Sequence, residues 1–82
     1  MIAEIEANIL NIIKANLDDK IIPTISMDKR FSSIGVGSIA LLNIVVALES
    51  FYNIEFEDDK LVFSAFPTVQ SLVDYVKFMI SK

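Results

Sequence analysis

The chain contains neither cysteine nor histidine. Without cysteine no disulfide can staple the fold and no thiolate metal site can form. Without either residue the usual general base and the best side-chain nucleophile are both missing, which argues against an autonomous enzyme. The adjacent carboxylates, Asp18–Asp19 and Asp58–Asp59, diverge on any regular element and are expected to cap helices or face solvent. No metal site is expected. Basic residues are few and scattered, and only Lys29–Arg30 sit together. Nucleic-acid binding, which needs clustered Lys and Arg, is thereby disfavoured. Long apolar runs are lacking too. Ile39 to Leu42 and Ile44 to Leu48, even joined across Asn43, fall short of the roughly 20 residues that span a bilayer. The first residues, MIAEIEANILNIIK, carry Glu4 and Glu6 where a secretory signal would carry basic residues. A soluble, cytoplasmic protein with no membrane partner is expected. Only two glycines and two prolines occur, which disfavours both disorder and a turn-rich β architecture.

What is present is apolar surface: 54% of the 82 residues are hydrophobic, and the mean hydropathy is +0.56. A chain this short is marginal unless its core is dense, so a single domain over 1–82 with a tight helical core follows. The net charge of −4 and the pI near 4.5 suit solubility, or a preference for basic partner surfaces.

Residues 2–17 repeat apolar side chains at Ile2, Ile5, Ile9, Ile12, Ile13 and Leu17, the spacing of one helical stripe. Glu4 and Glu6 suit the positive end of its dipole, and the helix should stop near Leu17, ahead of Asp18–Asp19 and Pro23. Residues 18–37 show no period. Yet Ile21, Ile22, Ile25, Met27, Phe31 and Ile34 are too apolar for a free linker, so an ordered loop packed on the bundle is predicted. A second helix is predicted over 38–53, with Ser38 as N-cap, Gly35 and Gly37 turning the chain into it, and Asn53 as the stop. Leu41, Ile44, Leu48, Phe51 and Tyr52 form its apolar face. Asn43, Glu49, Ser50 and Asn53 hold the opposite one, into which Ile39, Leu42 and Val46 intrude at helical spacing. Either the loop covers these three, or they form an exposed strip where a partner docks. Residues 54–59 read as an extended connection that tucks Ile54 and Phe56 inward. Residues 60–66 read as a short helical turn packing Leu61, Val62, Phe63 and Phe66. A last helix follows Pro67, with Thr68 as N-cap, Val69, Leu72, Val73, Val76 and Met79 or Ile80 as its stripe, and Lys77 and Lys82 near its C-terminal end. The sum is an all-α bundle of three to four helices with a long ordered loop between the first two.

Phe31, then Ile34-Gly35-Val36-Gly37-Ser38-Ile39 opening a helix, then Val46-Ala47-Leu48-Glu49, then Phe66-Pro67-Thr68-Val69 opening the last helix, resemble the acyl and peptidyl carrier proteins. The likeness extends over nearly the whole chain. It implies a non-catalytic carrier. A phosphopantetheinyl transferase would move phosphopantetheine from coenzyme A onto the motif serine, here Ser38. The thiol of that arm would hold acyl or aminoacyl groups as thioesters and present them to loading and condensing enzymes. A chain without cysteine has to import such a thiol. The resemblance also implies docking through the second helix and the end of the loop before it, here Gly37, Ile39, Ala40, Leu41, Leu42 and Val46, with Glu49 as a rim charge. The protein is expected to be a monomer.

Two departures refine this. Family members usually carry Asp before the serine, where this chain has Gly37, and the docking helix of fatty-acid carriers bears several acids, where this one has only Glu49. The reading therefore leans away from housekeeping fatty acid biosynthesis and towards polyketide or nonribosomal peptide assembly. The alternative is a carrier-like protein-interaction module that stays unmodified.

Overall fold

The computed structural model describes residues 2–57, 60 and 65–81. Three helices carry the architecture: α1 (Ile2–Ala15), α2 (Ser38–Tyr52) and α3 (Val69–Ser81). Two short 3₁₀ turns, Ile22–Thr24 and Phe31–Ile34, punctuate the long α1–α2 loop, and no strand occurs among the described residues. The all-α bundle expected from the periodicity is what forms.

Each helix buries the centre of the stripe that its spacing predicts, while the Ile2 side chain lies outside what is described. Ile9 and Ile13 of α1 meet Ile44 and Leu48 of α2 and Leu72, Val73 and Val76 of α3 in one core, with Val69 sealing the start of α3. Ile5, Ile12 and Leu17 flank it half-buried. α1 ends two residues before Leu17. Asn16 donates its side-chain amide to the Ile12 carbonyl at 2.9 Å, and the Asp18 carboxylate accepts the Lys20 N–H at 2.8 Å, so both residues turn the chain instead of continuing the helix.

The loop is ordered by burial, as its composition demands. Phe31 and Val36 are fully in the core, and Ile21, Ile25, Met27 and Ile34 pack against it. Phe31 also works through its backbone: its N–H donates to the Pro67 carbonyl, and its own carbonyl accepts the N–H groups of Gly35 and Val36. Gly35 sits at φ +84, a left-handed conformation that favours glycine. Gly37 differs from expectation. Its φ of −87 and ψ of −179 are open to any residue, so one glycine makes the turn, not two.

At its far end α2 stops as predicted: Asn53 adopts the left-handed conformation at φ +54, and the Glu49 carbonyl accepts both the Asn53 and Ile54 N–H groups. Beyond it the chain is extended, with Phe56 buried against Phe66 and Tyr75 in an aromatic cluster. Of the expected turn over 60–66, Leu61, Val62 and Phe63 lie outside the described residues, as do Asp58, Asp59 and Lys82; Phe66 is buried.

Thr68 caps α3. Its Oγ1 accepts the Ser71 N–H at 3.1 Å, while Ser71 Oγ accepts the Thr68 N–H at 3.1 Å, a reciprocal capping box. Lys77 does not complement the end of this helix; it reaches across to Glu6 of α1 at 2.8 Å.

One apolar-face assignment needs correction. Phe51 is 65% exposed, because it sits at the edge of the α2 stripe and not over its centre. Tyr52 packs against the core, with its hydroxyl buried and unpartnered among the described residues.

Candidate functional site

Ser38 is the first residue of α2 and is exposed. It is not the N-cap. That place belongs to Gly37, whose carbonyl accepts the first helical N–H, from Leu41, at 3.0 Å. Glycine offers no side chain to cap with, and no side-chain cap bond is made. The Ser38 hydroxyl makes no hydrogen bond among the described residues, and neither do the N–H groups of Ser38, Ile39 and Ala40. An exposed nucleophilic oxygen thus stands on a helix turn whose unclaimed donors and positive dipole end suit an anion. Beside it lies an open concavity of about 550 Å³, lined among the described residues by Ser32, Gly35, Val36, Gly37 and Ser38.

Below the serine, Ile39 is 78% exposed, Leu42 48% and Val46 55%. The loop does not cover them, and they form an apolar strip along the outer face of α2. Ala40 is half-exposed beside it. Leu41, placed on the docking surface by sequence, is instead 3% exposed: it lies a third of a turn from the strip and points into the core. Glu49 is half-buried, and its carboxylate accepts the backbone N–H of Phe56 at 2.7 Å. The expected rim charge is thus engaged by its own chain. That role had no sequence signal, because its partner is a backbone group seven residues on. The Thr68–Ser71 box did have one, in the T-x-x-S spacing.

Among the described residues no cluster of side chains could hold a metal ion, and no helix is long and apolar enough to cross a membrane. Residues 7–76 match the family model described as "Phosphopantetheine attachment site". No curated protein and no solved structure gives a significant match. The family match takes in the loop, all of α2 and most of α3: the chain belongs to the phosphopantetheine attachment family of acyl and peptidyl carrier proteins, whose members hold phosphopantetheine covalently.

Proposed function

We propose that Ser38 is the attachment residue and that the protein carries acyl or aminoacyl groups in a polyketide or nonribosomal peptide pathway. The observation that carries this reading is the exposed, unbonded Ser38 hydroxyl at the start of α2 in a chain of this family. In the transfer, Ser38 Oγ displaces 3′,5′-adenosine bisphosphate from coenzyme A. Its proton passes to a base of the phosphopantetheinyl transferase, since this chain offers no histidine. The N–H groups of Ser38, Ile39 and Ala40 are placed to solvate the phosphodiester oxygens. The arm supplies the thiol that the sequence lacks. Partner enzymes then meet Gly37, Ile39, Ala40, Leu42 and Val46. The only acid on α2 is Glu49, and it is held by Phe56, so docking is apolar in character. That lack of charge is what favours specialised assembly over a fatty-acid carrier. The protein acts in the cytoplasm as a monomer, without turnover of its own.

The test is to incubate the apo protein with coenzyme A and a broad-specificity transferase and weigh the intact chain. A gain of one phosphopantetheine by wild type and none by Ser38→Ala is expected. No gain, or equal gain by both, overturns the assignment. A second reading, an unmodified interaction module, is favoured by Gly37 at the cap. Persistent apo protein in its own cells, with partner binding that survives Ser38→Ala, would establish it.

A further inference from the structure

The F-P-T-V segment has no part in the chemistry above, yet it meets the loop that ends in Ser38. The first turn of α3 has N–H groups with no partner in their own helix. Two of them are taken by the loop: Val69 N–H donates to the Lys29 carbonyl at 3.0 Å and Gln70 N–H to the Met27 carbonyl at 2.8 Å. In return Phe31 N–H donates to the Pro67 carbonyl at 3.2 Å, and Arg30 pairs with Thr68 as an isolated bridge. From Phe31 further backbone bonds lead towards the serine, with the Val36–Gly37 peptide as the covalent link between them. The Phe31 carbonyl accepts Gly35 and Val36, and Gly37 then accepts Leu41. The third N–H of the turn, that of Ser71, is fixed by Thr68 Oγ1.

We infer that Thr68 is a positioning residue for the modification of Ser38: its capping box holds the first turn of α3 in the shape that clamps residues 27–31, and the clamp holds the serine turn in place. The inference rests on the proposed role of Ser38. Thr68 touches neither the serine nor any group attached to it, and acts only through the backbone of the loop.

Thr68→Val keeps the shape and removes the capping oxygen; Thr68→Ser keeps the oxygen. Ile13→Val is the control, since Ile13 is buried on α1 and takes no part in the clamp. Two quantities are measured: kcat/KM for transfer of phosphopantetheine from coenzyme A by a broad-specificity transferase, and amide exchange of the apo protein. Thr68→Val should lower kcat/KM about fivefold, the ratio that the ~1 kcal/mol of a lost cap corresponds to. Exchange at Phe31, Val69 and Gln70 should quicken by about the same factor relative to core amides such as Val76. Thr68→Ser should restore both, and Ile13→Val, of similar expected stability loss, should change neither selectively. Equal loss of transfer in Thr68→Val and Ile13→Val overturns the inference, as does unchanged exchange at the three clamp amides. If wild type accepts no phosphopantetheine, the assignment of Ser38 fails, and exchange alone decides whether the clamp exists.

Discussion

Glu49 and Phe56 are joined by a charge-assisted hydrogen bond of 2.7 Å, carboxylate to backbone N–H, across the turn that Asn53 makes. With its carbonyl holding Asn53 and Ile54, Glu49 accepts three backbone N–H groups at the exit from α2, those of Asn53, Ile54 and Phe56. Glu49→Ala leaves the half-buried Phe56 N–H without its acceptor and should destabilise by about 1–2 kcal/mol. That corresponds to a melting temperature lower by ~4–16 °C in a domain of this size. Glu49→Gln keeps an acceptor oxygen and should lose less than half as much. Equal losses in the two variants would show that the charge, not the acceptor, matters.

Gly37 has no conformational reason to be glycine. Nothing lies within 4 Å of where its Cβ would be, and its backbone is ordinary. Gly37→Asp would provide a cap, a charge at the positive dipole end and a stiffer unfolded chain. The expected gain is about 1 kcal/mol, or ~4–8 °C in melting temperature. A lower melting temperature would contradict the open geometry. The rate of transfer to this variant, measured alongside, reports how far the glycine itself sets the pace of modification.

Val46→Asp separates docking from folding. The side chain is 55% exposed, and Val and Asp have similar helix propensities, so stability should move by no more than about 0.5 kcal/mol. Transfer by a partner that uses the apolar strip should fall roughly tenfold, as expected where a charge enters a dry contact. A large drop in melting temperature would mean that Val46 is core.

Tyr52 buries its hydroxyl without a partner among the described residues, and burial pushes the phenol above its ordinary pKa. Removing an unpaired buried hydroxyl relieves a desolvation cost, so Tyr52→Phe should stabilise by about 1 kcal/mol. Thermal unfolding checks this. A lower melting temperature would show that the hydroxyl is paired in solution.

These cases also show what residue types announce and what they do not. The three stripes, the Thr68 cap, the Asn53 stop and the burial of Phe31 were legible because each depends on a side chain whose chemistry fits one position. Residue type points to Ser38 as the N-cap because serine is the better capping residue, whereas the chain places glycine there, with nothing in the side chain to signal it. Phe51 lies where the α2 stripe meets its flank, and there only the packing of neighbouring elements decides between surface and core. Leu41 lies near the centre of that stripe, and its closeness in sequence to Ser38 is what suggests the docking surface instead. The clamp between the loop and α3 is made by backbone groups, which every residue but proline carries alike. No pattern of letters could mark it. The partner of Glu49 was hidden for the same reason.

The uncharged strip of Ile39, Leu42 and Val46 has a kinetic consequence. A strip without charge adds no steering of its own, so any long-range pull on an approaching enzyme comes from the net charge of −4 elsewhere on the chain and fades with salt, towards the unsteered rate of roughly 10⁵–10⁶ M⁻¹s⁻¹. Under the proposed carrier role, throughput at such salt would depend on how many carrier and enzyme molecules share a volume, and abundance or tethering would be the lever that speeds delivery.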